Sequence, residues 1–258
     1  MAKLRALAHL IGLSRLVRER PQFVARQALR RPVLGRYSLR GSGLPFFVRH
    51  ATPDVNTFEQ MFQEGHYELP APVAAALPAN GTLTAVDLGA NIGMFGLWLR
   101  TRFPGARITA FEPDPSNAAV LRQTAQANSA AGHWEVIEAA AGNRDGEVSF
   151  LAGDFTNSRI ASGDEPGTTV ALVDAFPYME AADFVKVDIE GAEWQLTGDS
   201  RFNDLRAGVI AFEYHLAEAG DDPRAQAIEA LERAGYQTME GELDALSGHG
   251  MIWAWRSR

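Results

Sequence analysis

The side chains best suited to chemistry in this sequence lie near the ends of two largely apolar stretches, residues 183–193 and residues 207–215. Both stretches have the alternation of an extended strand that ends in charged residues. The charged side chains at these ends are Lys186, Asp188, Glu190, Glu213 and His215. Ammonium, carboxylate and imidazole groups that meet in one place can hold and transfer a proton, so these residues are candidates for general acid–base catalysis. The alternative is a set of ion pairs with structural value only.

His215 is the first candidate for the base, because the ordinary pKa of histidine is closest to neutral. We expect Glu213 to orient His215 or the substrate, and the other three residues to position a reacting hydroxyl. Nearby carboxylates favour a protonated imidazole and work against this role, whereas Lys186 neutralises Asp188 or Glu190 and works for it. Asp188 and Glu190 also suit a divalent cation. Since Lys186 already supplies a counter-charge, we predict no metal.

Residues 84–96 indicate a second kind of site, because an apolar strand leads there through a glycine-spaced turn into an apolar helix. Such a turn directs backbone N–H groups and a helix N-terminus towards a ligand. The spacing is D-x-G-x-x-x-G, from Asp87 through Gly89 to Gly93, and Asn91 stands where a dinucleotide fingerprint has its second glycine. The turn is therefore poorly suited to a pyrophosphate, and Asp87 favours a positive ligand. We predict S-adenosylmethionine, which is cationic and carries no phosphate.

Two further positions complete the predicted cofactor site. Glu112 ends the next predicted strand, where a carboxylate can accept hydrogen bonds from both hydroxyls of a ribose. Ala140 lies among small residues after the third strand, where an adenine ring needs flat and uncrowded backbone. The predicted cofactor-binding residues are Asp87, Gly89, Asn91, Gly93, Glu112 and Ala140.

With these motifs in view, the sequence resembles the FkbM family of S-adenosylmethionine-dependent methyltransferases. The similarity runs from about Phe46 to His215, and its most specific strings are V-D-L-G-A-N-I-G at 86–93 and K-V-D-I-E-G-A-E at 186–193. The resemblance implies a class I methyltransferase fold, a Rossmann-like α/β three-layer sandwich whose seven-stranded, mostly parallel sheet ends in an antiparallel hairpin. It also implies methyl transfer to oxygen, commonly a hydroxyl of a sugar, polyketide or similar metabolite.

The elements that must position these residues alternate between strands and helices after the glycine turn. Residues 143–173 exceed what a simple connection needs, and we predict a strand pair there with a polar loop, residues 154–159, over the pocket. The other predicted elements are helix 92–103, strand 107–112, helix 115–128, strand 134–138, helix 222–235 and a closing hairpin of 236–239 with 251–255.

The chain is predicted to have three parts. Residues 1–40 form a basic, amphipathic, helical extension, residues 41–80 a lid segment over the mouth of the sheet, and residues 81–258 the methyltransferase domain. His9 and Arg15 interrupt the first apolar stretch, so it suits neither a signal peptide nor a membrane span. Residues 1–30 instead suit docking, on this domain, on a protein partner or on an anionic membrane surface.

Charge and composition limit the partners. Residues 1–49 hold 11 of the 24 basic residues and one of the 32 acidic residues, a net charge of +10, which leaves −18 for the rest. So acidic a body is a poor partner for nucleic acid. The chain has no cysteine, which excludes disulfides, zinc–thiolate sites and cysteine nucleophiles and is compatible with a reducing cytoplasm.

The expected acceptor is therefore a small molecule, a glycan or a lipid-linked sugar. Two alternatives share the fold class: a nicotinamide-dependent oxidoreductase, against which the missing glycines count, and a catalytically silent binding protein.

Overall fold

The fold is described from a computed structural model of the chain. The residues that the structure describes are 2–79, 82–151, 159–160, 167–215, 222–244 and 249–256. Residues 154–158 of the predicted polar loop lie outside these ranges, so the placement of that loop over the pocket stays a prediction.

Helices and strands alternate through most of the described chain. The helices are α1 (Ala2–Ser14), α2 (Arg20–Ala28), α3 (Asp54–Glu59), α4 (Ala71–Ala76), α5 (Met94–Arg102), α6 (Pro115–Ala127), α7 (Phe176–Glu180), α8 (Glu193–Thr197) and α9 (Pro223–Arg233). The strands are β1 (Leu34–Ser38), β2 (Pro45–Arg49), β3 (Thr84–Leu88), β4 (Arg107–Phe111), β5 (Trp134–Ile137), β6 (Ala140–Gly142), β7 (Gly146–Leu151), β8 (Arg159–Ile160), β9 (Thr168–Asp174), β10 (Phe184–Val187), β11 (Val209–Tyr214), β12 (Gln237–Asp244) and β13 (His249–Trp255).

A seven-stranded sheet forms the centre of the molecule, in the order β12-β13-β11-β10-β3-β4-β5. Strands β5, β4, β3, β10 and β11 run parallel, whereas β13 is antiparallel to both β11 and β12. This confirms the predicted sheet and its terminal hairpin. Because parallel strands end at one edge, the ends of β3, β10 and β11 meet at a single place.

Each face of this sheet is covered by a hydrophobic layer. In β10, Phe184 belongs to one layer, and Val185 and Val187 belong to the other. All residues of α5 from Met94 to Arg100 are buried, as its apolar sequence predicts. The start of α6 is fixed by Asp114, whose side chain accepts hydrogen bonds from two backbone N–H groups of the first turn.

A smaller four-stranded sheet, in the order β6-β9-β7-β8, lies between β5 and α7 along the chain. Strands β7 and β9 pair antiparallel over five residue pairs, which confirms the strand pair predicted within residues 143–173. The small residues from Ala140 to Gly142 form β6, which pairs with β9.

The predicted helical extension contains two helices, α1 and α2, but residues 34–38 form a strand rather than a helical segment. β1 pairs antiparallel with β2, so the predicted boundary at residue 40 falls between the two strands of one hairpin. Phe23 of α2 is fully buried, with its ring centroid 5.1 Å from that of Tyr37 in β1. The division into three parts stays a prediction. No helix within the described residues has both the length and the apolar character needed to cross a membrane.

Candidate active site

A cavity of about 610 Å³ opens at the carboxyl ends of β3, β10 and β11. It is lined by the glycine turn after β3, the start of α5, the ends of β10 and β11, the start of β13 and the lid segment from residue 56 to residue 67. The predicted site residues that line the cavity are Gly89, Asn91, Lys186, Asp188, Glu190, Glu213 and His215. The structure thus brings all five candidate catalytic residues together. The predicted residues outside its lining are Asp87, Gly93, Glu112 and Ala140.

The glycine turn passes so close to the end of β10 that it has no room for a side chain. Gly89 has a φ of +78°, and a Cβ there would lie 1.7 Å from the backbone oxygen of Asp188. Gly93 has a φ of +85°, and its Cβ would lie 2.5 Å from Leu121. Asn91 takes a φ of +49°, a conformation that asparagine tolerates better than most residues. The turn therefore presents bare backbone to the cavity.

Glu112 lies directly behind this turn. Its carboxylate accepts hydrogen bonds from the backbone N–H of Asn91, at 2.7 Å, and of Asp114, at 2.9 Å. Burial raises its pKa to about 7, against the lowering effect of these two bonds. Glu112 is thus fixed beside the turn. With this pKa, its carboxylate changes its charge near neutral pH.

Lys186 joins the turn to the end of β10. Its Nζ donates a hydrogen bond to the carbonyl oxygen of Gly89 at 2.9 Å, and lies 3.0 Å from Asp188 Oδ2 and 3.3 Å from Asp87 Oδ1. Burial alone would lower the pKa of Lys186, but Asp188 and Asp87 outweigh it and raise the pKa. Lys186 is therefore a permanent cation. Asp87 is fully buried beside it, which places its charge below the cavity rather than in the lining.

The turn after β10 differs from the predicted continuous strand. The strand ends at Val187, and Glu190 reaches the cavity through a left-handed turn in which its φ is +54° and that of Gly191 is +97°. The fully buried carboxylate of Glu193 holds this turn by accepting hydrogen bonds from the N–H groups of Ile189 and Gly191. Residues 188–193 therefore do not continue the predicted strand, although Glu190 does join the site.

The same Glu193 carboxylate holds His215. It lies 2.9 Å from His215 Nδ1, which turns Nε2 towards Glu190 Oε2, at 3.5 Å, and Asp188 Oδ1, at 3.9 Å. Burial alone would lower the pKa of His215, but Glu193 and then Asp188 and Glu190 raise it to about 10. Burial and the charge of Asp188 raise the pKa of Glu190 to about 8. Before a ligand binds, the imidazole is therefore protonated at neutral pH.

Glu213 connects the end of β11 to the lid segment. The Tyr67 hydroxyl donates a hydrogen bond to Glu213 Oε1, and His66 Nε2 lies 3.4 Å from the same oxygen. Burial alone would raise the pKa of Glu213, but His66 and Lys186 lower it to about 2. Glu213 therefore stays ionised and fastens the lid segment to the sheet.

Several residues of the site were missed in the sequence. Those with charged or aromatic side chains are His66, Tyr67, Glu193 and His249, and those of the lid with polar side chains are Asn56, Thr57 and Gln60. Glu193 had a usable signal, since it stands inside the same acidic string as Asp188 and Glu190. Tyr67 is 146 residues from Glu213 along the chain, a separation that no local pattern detects.

The geometry of this cluster would allow a metal ion, because ligand atoms of Asp188, Glu213 and His215 lie within 4.8 Å of one another. Lys186 already lies against Asp188 and both His66 and Tyr67 against Glu213, so protein groups share these carboxylates. The predicted lack of a metal stays a prediction.

A mostly parallel sheet of this strand order, with a glycine turn after its first central strand and acidic residues at the neighbouring strand ends, defines the class I S-adenosylmethionine-dependent methyltransferases. The sequence model of the Methyltransferase FkbM domain matches residues 87–238, more than half of the chain. The chain belongs to this family, as the motifs predicted, and its cofactor is S-adenosylmethionine.

Two curated relatives are also methyltransferases. Methyltransferase sdnD of Sordaria araneosa is 37% identical over 73 residues, which cover 28% of this chain and 26% of that protein. Methyltransferase 1 of Beauveria bassiana (strain ARSEF 2860) is 26% identical over 137 residues, with 42% of this chain and 54% of that protein covered. The matched part is thus about a quarter of the first relative and about half of the second.

Solved methyltransferases have distant similarity to the chain. The magnesium protoporphyrin IX methyltransferase of Synechocystis PCC 6803, with bound S-adenosylmethionine, has a TM-score of 0.45 and 14% identity over 79% of this chain and 81% of that one. TYW2 of M. jannaschii has a TM-score of 0.44 and 16% identity over 85% and 84% of the two chains. With values this low, the assignment of the fold rests on the strand order itself.

Proposed function

We propose that this methyltransferase methylates a hydroxyl oxygen of a sugar, a glycan or a similar polar metabolite. The observation that carries the proposal is the cluster of Asp188, Glu190 and His215 in the same cavity as the glycine turn. A neutral hydroxyl is a weak nucleophile until a nearby group takes its proton, so proton acceptors in this position favour an alcohol acceptor. The uncharged polar residues Asn56 and Gln60 of the lid suit the hydroxyl groups of such a molecule.

The residues beside the glycine turn fit the cofactor. Gly89 and Asn91 would approach it through backbone, and the carboxylate of Glu112 would accept hydrogen bonds from its ribose, as Glu112 already lies next to the Asn91 N–H. When bound, S-adenosylmethionine supplies an electrophilic methyl group. Asp87 is fully buried against Lys186 and would act only indirectly, by fixing the turn.

We propose Glu190, paired with His215, as the proton acceptor in place of His215 itself. A protonated imidazole cannot accept a proton. Glu193 keeps His215 protonated at neutral pH by raising its pKa to about 10. The pKa of Glu190, about 8, is lower than that of His215, so at neutral pH a larger fraction of Glu190 than of His215 is free to accept a proton. Glu190 then accepts the proton of the hydroxyl, while His215 holds Glu190 and the acceptor in place. His215 as the base is the competing assignment.

Single-turnover methyl transfer separates these two assignments. We expect Glu190→Gln to slow transfer by about 10²-fold or more, the size typical of a lost general base, and His215→Asn to slow it less. Each variant is first shown to bind S-adenosylhomocysteine like the parent. If His215→Asn is as slow as Glu190→Gln while its affinity is normal, His215 is the base.

The acceptor class is tested with methyl-labelled S-adenosylmethionine and a panel of hydroxylated acceptors, which includes free sugars, nucleotide sugars and lipid-linked sugars. Each acceptor is paired with the deoxy analogue that lacks the methylated hydroxyl. We expect label in an O-methyl group, identified by its NMR shift, and none in the analogue. Label on nitrogen or carbon would contradict the proposal. Binding of S-adenosylhomocysteine without transfer to any acceptor would favour the catalytically silent alternative.

A further inference from the structure

The connection between α2 and β1 has an unusual concentration of exposed apolar side chains. Leu29 is 62% exposed, Val33 38% and Leu34 40%. Five large hydrophobic side chains are exposed in the part of the chain that the structure describes, and three of them stand in this single connection. Scattered exposed hydrophobic residues are ordinary, whereas a group of them marks an interaction surface.

Arginines surround these residues without acidic neighbours in the sequence. Residues 20–53 contain seven arginines and neither aspartate nor glutamate. Arg30 and Arg31 stand between Leu29 and Val33 and are exposed. Arg36 shares the exposed face of β1 with Leu34, because the residues between and after them in the strand are buried. We call this set the arginine–leucine surface; it consists of Leu29, Arg30, Arg31, Val33, Leu34 and Arg36.

The nearest acidic residues do not neutralise this surface. Glu19 accepts hydrogen bonds from the backbone and the hydroxyl of Ser38. Asp54 is buried and forms an ion pair with Arg49 at 2.8 Å. The positive charge of the arginine–leucine surface is therefore left for a partner.

The arginine–leucine surface rests on a fixed support. The backbone N–H of His50 donates a hydrogen bond to the carbonyl oxygen of Val33 at 2.9 Å, and Leu34 pairs with Arg49 in the β1–β2 hairpin. Below it, the Tyr37 hydroxyl lies 2.6 Å from His50 Nε2. A surface that is already ordered loses little conformational freedom when it binds.

We propose that the arginine–leucine surface docks the protein reversibly on an anionic lipid bilayer. Guanidinium groups pair with headgroup phosphates, while leucine and valine side chains enter the boundary between headgroups and acyl chains. A nucleic acid would take the arginines but has no apolar layer for Leu29 and Leu34. Residues 50–258, which carry a net charge of −18, are repelled by such a membrane, so the basic N-terminal part that contains this surface faces it.

This proposal moves the predicted docking element. The sequence pointed to the helices of residues 1–30, but Leu13, Val17 and Phe23 are buried against the chain itself. These three side chains therefore already pack within the chain. The connection that follows them carries the exposed residues, and its role is independent of the methyl-transfer reaction.

The absence of cysteine allows a direct test on the full chain. Leu29→Cys is labelled with a fluorophore that shifts to the blue in an apolar environment, and Met239→Cys, at a position 41% exposed on β12, is the matched control. Vesicles consist of phosphatidylcholine alone or of phosphatidylcholine mixed with phosphatidylglycerol. We expect a blue shift only for the Leu29 label and only with the anionic vesicles. No shift, or an equal shift of the Met239 label, would overturn the proposal.

Unlabelled variants measure the affinity by co-sedimentation. Arg30→Gln with Arg31→Gln is expected to weaken partition onto anionic vesicles by about 25-fold, about fivefold per arginine. Leu29→Asn with Leu34→Asn is expected to weaken it by about tenfold or more, and Met239→Asn to leave it unchanged. Thermal unfolding confirms that each variant is folded. Variants that partition like the parent, or a parent that binds duplex DNA but not vesicles, would refute lipid docking.

Discussion

Replacement of Glu193 by glutamine tests whether this residue controls the charge of His215. Glu193 is fully buried and lies 2.9 Å from His215 Nδ1, and it is the main reason that the pKa of His215 is raised to about 10 against the effect of burial. An opposite charge at this distance typically changes a pKa by about 1–3 units. We therefore expect Glu193→Gln to lower the pKa of His215 by about that amount.

The same change has a predictable effect on stability. The pKa of His215 is higher in the folded chain than the ordinary 6.5, so the folded state binds more protons than the unfolded state between about 6.5 and about 10. The stabilisation that His215 contributes is complete below about pH 6.5 and is lost as the pH rises through about 10. Glu190 acts in the same direction at lower pH, up to about 8. Above about pH 8, the free energy of unfolding of the parent should fall with pH more steeply than that of Glu193→Gln.

The assay is NMR titration of the chain with isotope-labelled histidines. The sequence has six histidines, and His215→Asn identifies the signal of interest by its disappearance. Glu147→Gln, at an exposed position of β7, serves as the control for loss of a distant carboxylate. If His215 of the parent titrates near its ordinary pKa, or if Glu193→Gln leaves its titration unchanged, the reasoning is refuted.

Three further predictions follow from other contacts of the site. Glu112→Ala should weaken the binding of S-adenosylhomocysteine by about 1.5–3 kcal/mol in calorimetry, and an unchanged Kd in the variant would contradict its ribose role. Since burial raises the pKa of Glu112 to about 7, the affinity of the parent should fall as the pH drops below that value. Gly89→Ala should cost more than about 3 kcal/mol of stability in urea unfolding, because its Cβ would collide with the Asp188 backbone; a parental melting curve would contradict this. Tyr67→Phe leaves Glu213 without its hydroxyl donor and should cost about 1–3 kcal/mol in the same assay; a loss below about 0.5 kcal/mol would show that the bond is unimportant.

Most of the central fold could be predicted because its signals are local. The apolar strand before Gly89 and the proline-led helix after Asp114 are each predicted from a few neighbouring residues. Most predicted boundaries lie within two positions of the observed ones, whereas β12 continues to Asp244, five residues beyond its predicted end. β1 was missed, because residues 34–38 were placed in a helical extension. Residues 34–38 have two buried positions, Gly35 and Tyr37, and a glycine does not register as apolar alternation.

The site was predictable as a set of residues but not as a geometry. Strand ends place Asp188, Glu213 and His215 at one edge of any parallel sheet, which is a rule of topology. The left-handed turn at Glu190 depends on hydrogen bonds that the Glu193 carboxylate accepts from Ile189 and Gly191, which are local contacts without an apolar period. The contact of Tyr67 with Glu213 joins distant parts of the chain and leaves no trace in the local sequence.

The close approach of Gly89 to the backbone of Asp188 has a consequence for how this protein can change over generations. The glycine turn after β3 and the end of β10 are in direct backbone contact, and Lys186 bonds to both. A substitution on one side of this contact shifts the other side, so the effects of substitutions at positions 87–93 and 186–190 on stability should be non-additive. We therefore expect changes of acceptor to arise through substitutions at residues 56–67, which leave the contact between Gly89 and Asp188 intact.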